Sequence, residues 1–125
     1  NDILLDYIRF VEAYGPALYE VVYESTLPYI VQHRGIELGK PIVVYNNEIV
    51  CISVKNTIIR VGDLLIAETA NPTRPYLACE IQELQVDKIP YEEVPANPDG
   101  VDIGMRVLFN AKGNQFFFLV PKRVR

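Results

Sequence analysis

The spacing of apolar positions along the chain changes once, near Gly35. Over "DILLDYIRFVEAY" (residues 2–14), Leu4, Tyr7, Ile8, Val11 and Tyr14 recur at helical spacing, while Asp6, Arg9 and Glu12 fall on the other side. Gly15-Pro16 ends that segment. Pro16 suits the first turn of a second helix, "PALYEVVYES", with Leu18, Val21 and Val22 inward. Ser25 or Thr26 caps a further short turn, "LPYIVQHR", with Pro28 near its start and Gly35 as its stop. Residues 1–35 therefore read as a helical arm.

From Ile36 the pattern is that of strands. "PIVVY" and "EIVCISV" are rich in β-branched residues and flank Asn46-Asn47, a pair that tolerates positive φ and predicts a tight hairpin turn. "TIIRV" and "LLIAE" are separated by Gly62-Asp63, where a sharp bend or bulge is expected. Asp63 is placed to bond local amides and hold that bend. "TANPTRP" (residues 69–75) is a loop, because prolines without an amide hydrogen cannot serve a central ladder. "YLACEIQELQV" alternates again, with a slip of phase near Glu83-Leu84. "DKIPYEEVPANPDG" reads as a long polar connection, and "VDIGMRVLF" and "NQFFFLV" as a closing hairpin over residues 110–113. Within "FFFLV", Phe117 faces one way and Phe116 and Phe118 the other, so both faces of that strand call for burial. The helical arm is the expected cover, and a second copy of the chain the next.

Six or so short strands at intervals of about 8–12 residues, with no helical pattern between them, predict a mainly β domain. The expected architecture is a small antiparallel β-barrel over residues 36–125 with an N-terminal helical arm over residues 1–35. The length, 125 residues, suits one domain, and 50% hydrophobic residues suffice for one core. No apolar run reaches the roughly 18–20 residues of a membrane span, and no signal-peptide pattern argues for secretion.

The net charge of −4 weighs against nucleic acid as a general partner. In the helical arm, Arg9 and Arg34 stand against five acids, too few cations for a helix-turn-helix reader of DNA. The tail is different: residues 101–125 carry Arg106, Lys112, Lys122, Arg123 and Arg125 against Asp102 alone. That basic end is either a solvated strand terminus or an edge that meets RNA or an acidic neighbour.

Candidate chemistry is sparse. Cys51 and Cys79 each lie inside an apolar run and read as core thiols; a disulfide between neighbouring strands is the alternative. Both fit a reducing cytoplasm. His33 has no second His or Cys nearby, so no metal site is expected. Glu92 and Glu93 form a carboxylate pair, but a polar, proline-rich loop leaves them hydrated. Asp99, Gly100 and Asp102 lack the remaining ligands of a regular calcium loop. Tyr7, Tyr14, Tyr19, Tyr23 and Tyr29 are either cover for the barrel or a docking surface for a partner.

Three stretches carry a resemblance. "TIIRVGDLLIA", "ACEIQELQVDKIPYEEVPAN" and "PDGVDIGMRV" look like successive pieces of the second-domain β-barrel of translational GTPases, the elongation factor Tu-like module. The likeness covers about residues 40–120. The chain departs from that pattern where Asn46-Asn47 replaces a glycine-rich arm, and in its aromatic final strand. No phosphate-binding loop of a GTPase is present in the sequence. The resemblance implies a ribonucleoprotein or a tRNA end as partner. The residues that would meet it are Arg74 and Tyr76 beside the loop, and Lys112, Lys122 and Arg123 at the basic end.

The leading expectation is a non-enzymatic interaction or assembly module that meets a protein partner or its own copies, without cofactor, metal or membrane. An RNA-binding, translation-factor-like module is the alternative. An enzyme working through Cys51, Cys79 or a loop carboxylate is the competing class.

Overall fold

The computed structural model of the chain describes residues 27–122, beginning with a helix, α1, over residues 27–34. Gly35 stops the helix. Its amide donates to the Val31 carbonyl at 3.0 Å, and a Cβ there would lie 2.6 Å from that oxygen. This is the third of the expected helical segments; the first two lie outside the described residues.

Eleven strands follow: β1 (Ile36–Gly39), β2 (Val43–Tyr45), β3 (Ile49–Val54), β4 (Ile59–Arg60), β5 (Leu64–Glu68), β6 (Tyr76–Glu80), β7 (Glu83–Val86), β8 (Ile89–Tyr91), β9 (Glu93–Val94), β10 (Val101–Arg106) and β11 (Phe116–Val120). All their pairings are antiparallel. The mainly β class expected from the pattern is the one observed.

The strands form a four-stranded sheet ordered β1-β11-β5-β6, a five-stranded sheet ordered β2-β3-β10-β7-β8, and the short pair β4-β9. The ladders of the described residues do not run on as a single ring. Instead the chain passes from one sheet to the other four times, and two of the passages are short corners. Residues 36–45 supply β1 to the first sheet and β2 to the second, and residues 76–86 do the same with β6 and β7. At the second corner, successive amides bond in different directions: Ile81 N–H to the Asp63 carbonyl at 2.8 Å, Gln82 N–H to the Arg106 carbonyl at 2.9 Å. The phase slip therefore falls at Ile81-Gln82, two residues earlier than the alternation alone places it.

The core fills the space between the two sheets. Val50, Ile52, Leu84, Ile103 and Met105 come from the five-stranded sheet, and Leu65, Ala67, Phe117 and Leu119 from the four-stranded one. A second cluster lies on the outer face of the four-stranded sheet, where Leu27 and Ile30 of α1 pack with Leu64, Ile66, Phe118 and Val120. The split of Phe117 from Phe116 and Phe118 is as the alternation requires, and α1 is the cover for the outer pair. Full burial of an aliphatic or aromatic side chain is worth roughly 1.5–3 kcal/mol, so this outer layer is a substantial share of the stabilisation.

Two expected connections differ. β10 and β11 do not form a hairpin, because they belong to different sheets. The segment between them is tied to the β2–β3 turn by Val107 N–H to the Glu48 carbonyl and Ala111 N–H to the Asn47 carbonyl, both at 2.8 Å. Buried Val107 and Ala111 draw it across the end of the sheets rather than back along β10. The connection after β7 is also not bare loop: it contains β8 and β9. Asp87 and Lys88 both take positive φ, 52° and 66°, and turn β7 into β8.

Candidate functional site

Among the residues of β10, Gly104 stands opposite Cys51 of β3 and Gln85 of β7. A Cβ on Gly104 would lie 2.9 Å from Gln85 Cγ and 3.0 Å from its Nε2, so the glutamine side chain lies across the glycine. An open groove of about 580 Å³ is lined among others by Gly104, Gln85, Glu83, Arg106, Pro90 and Tyr91. Arg106 closes one end. Its Nε donates to Glu83 Oε2 at 2.7 Å and its Nη1 to Glu48 Oε1 at 2.6 Å. These two bonds, that to Glu83 first, push the guanidinium above its ordinary value. Lys88, at the β7–β8 turn, lines the groove at the other end of β7.

The two edges of the five-stranded sheet differ. β8 ends one side and carries Pro90 opposite Gln85, next to the hydrogen-bonded pair that closes its two-residue turn. The proline therefore turns its hydrogen-less nitrogen to the free side, which blunts that edge against further pairing. β2 ends the other side and pairs only with β3. There Ile42 is 60% exposed, Val43 37% and Tyr45 54%. No proline interrupts β2 itself.

The residues expected at a nucleic-acid partner are spread out. Arg74 lies in the loop between β5 and β6, and Tyr76 begins β6 and packs against the outer cluster. Register sets Tyr76 opposite Glu68, and Glu68 opposite Phe116, so Arg74 and Tyr76 belong to the starting end of β11. Lys112 precedes that end of β11, in the segment that also bonds Asn47. Lys122 follows the opposite end, where its amide donates to Asp63 Oδ1 at 2.8 Å. Arg123 lies outside the described residues.

The carboxylate pair is divided as well. Glu93 Oε1 accepts from Arg60 Nε at 2.7 Å, whereas Glu92 lines the groove. Both cysteines are free thiols and half-buried, rather than fully inside the core. Desolvation, followed by the Asp102 charge, pushes Cys51 up; desolvation also dominates for Cys79, and it too is raised. His33 sets its ring against that of Tyr29, with centroids 4.2 Å apart and the planes tilted by 43°. Among the described residues no group of three or more His, Cys, Asp or Glu is placed to hold a metal, and no helix is long and apolar enough to cross a membrane.

Gln85 and Gly104 escape a reading by residue chemistry, since neither is ionisable. The available signal was the glycine inside "VDIGMRV": glycine weakens a strand interior and often marks close approach of another group.

No protein-family model matches the chain, and no curated protein matches it. One similar solved structure is the C-terminal domain of a Geobacillus thermoleovorans protein designated a U32 peptidase, in its selenomethionine form. It shares 13% identity with a TM-score of 0.45, over 67% of this chain and 94% of that one.

Proposed function

We propose that the chain is a non-enzymatic module that joins a protein partner through the five-stranded sheet, within a reducing cytoplasmic setting. The carrying observation is the open β2 edge, where Ile42, Val43 and Tyr45 stay exposed side by side and no proline lies within the strand. An apolar edge strand with free backbone groups is the standing template for strand addition, which proteins blunt where it serves nothing. The contrast with the proline-blocked β8 edge of the same sheet supports this reading. The raised thiols support it too, since a reactive cysteine needs a lowered pKa.

Photocrosslinking tests the proposal. A benzophenone side chain placed at Tyr45 is expected to yield one dominant protein adduct in the source cell. The same group at Ser53, exposed on the same sheet, is expected not to. Val43→Lys is expected to abolish the Tyr45 adduct while leaving the unfolding free energy within about 0.5 kcal/mol of the parent, as for most surface changes. Equal labelling from both positions, or adducts with RNA alone, would overturn it.

A further inference from the structure

We propose that the partner at the open β2 edge is a second copy of this chain, joined by antiparallel pairing of β2 with β2 about a two-fold axis. This rests on the interaction-module reading of that edge and names its occupant.

Composition is the first argument. From Pro41 to Asn47 the chain carries no charged residue, so two copies laid edge to edge set no like charges against each other along the strand. Val43 and Tyr45 stand in register with Cys51 and Ile49 on the outer face of the sheet, because Val44 and Val50 between them pack on the core. An added strand therefore meets an apolar outer face, and β2 of a second copy brings its own Val43 and Tyr45 to cover it. Symmetry fixes the direction. A two-fold axis along the strands would set amide against amide at equal height, whereas an antiparallel pair exchanges its hydrogen bonds.

Charge at the two ends of β2 matches that direction. Lys40, exposed just before the strand, has no ion-pair partner among the described residues. At the other end, Glu48 and Glu83 share the single guanidinium of Arg106, with side chains 48% and 68% exposed. Arg106 and Glu83 continue the outer-face row of Tyr45 and Ile49, and Glu48 joins them through Arg106. Lys112 follows Ala111, which bonds Asn47, but its segment leads away to β11 of the other sheet. One carboxylate charge is thus left on the outer face beside Tyr45. Antiparallel pairing brings the Lys40 end of each copy to the Glu48 end of the other, whereas parallel pairing would set Lys40 against Lys40.

The test is sedimentation velocity of the intact chain from about 10 μM to about 1 mM, the range of weak association. A monomer–dimer equilibrium is expected there. Lys40→Glu and Glu48→Lys are each expected to weaken it about tenfold, since each turns two attractions into two repulsions. Arg106 keeps its bond to Glu83 in the second variant. An equimolar mixture of the two variants, one of them fluorescently labelled, is expected to form heterodimers at close to the parent strength, because opposed ends are then again of opposite charge. A monomeric chain across the whole range, variants that dimerise like the parent, or a mixture that recovers nothing overturns the proposal. A monomeric chain whose Tyr45 photoadduct is a different protein overturns self-pairing and leaves the module reading standing.

Discussion

Asp63 shows how one side chain sets the corner of a sheet. It is fully buried, and its Oδ2 accepts the Arg60 amide at 2.9 Å while its Oδ1 accepts the Lys122 amide at 2.8 Å. Gly62, at φ 92°, supplies the left-handed backbone that brings the carboxylate to both donors. Asp63→Ala leaves two amides without partners, each worth about 1–3 kcal/mol when buried, so a loss of roughly 2–6 kcal/mol is expected in urea unfolding. Asp63→Asn retains one acceptor oxygen and turns an NH2 toward the other amide; it is expected to fall between Ala and the parent. The bond to Arg60 was legible, because an Asp after Gly bonds amides close in sequence. The bond to Lys122 spans 59 residues and has no local signature.

At the scale of the element, helix α1 and strand β11 were legible as a pair with a shared need. Strand periodicity gives β11 two apolar faces, and a second face needs a cover. The helix meets it through Leu27 and Ile30 against Phe118 and Val120. Its end depends on Gly35, where an added Cβ would press on the Val31 carbonyl oxygen at 2.6 Å. Backbone cannot yield as a side-chain tip does, so Gly35→Ala is expected to cost on the order of 1–3 kcal/mol, the range for overpacking. It is also expected to speed hydrogen exchange in 27–34, read by mass spectrometry. The two turns around β2–β3 and β7–β8 contrast instructively. Asn46-Asn47 announces itself by residue type, whereas Asp87-Lys88 hides the same positive φ values behind a lysine, which seldom adopts them.

At the scale of the whole molecule, the domain presents one covered face, one blunted edge and one open edge, together with two half-buried thiols. The thiols give the fold a pH dependence with a definite sign. Folding raises both, so above the unfolded thiol value of about 8.5 the unfolded chain releases protons that the folded one retains. Unfolding free energy is therefore expected to fall as pH rises from ~8.5 toward ~10, below the range where lysine and tyrosine dominate. The double variant Cys51→Ser and Cys79→Ser is expected to flatten that slope in urea titrations at each pH. Native alkylation by iodoacetamide is expected to be slow at neutral pH for both residues; rapid labelling of either would reverse the reading of these thiols.

What the residues determined by themselves is everything that depends on neighbours along the chain. Alternation and β-branching select strands, Asn46-Asn47 and Gly62-Asp63 select bends, and the doubled aromatic face of β11 demands a layer outside it. Tertiary structure alone decided which strands meet. β10 joins β3 and β7 rather than β11, because buried Val107 and Ala111 fasten the intervening segment to the β2–β3 turn, a long-range gain no local pattern encodes. The groove was decided in the same way. Gly104, Gln85 and Arg106 come to line one groove only when register sets β10 beside β7, since a glycine and a glutamine apart carry no chemical signal.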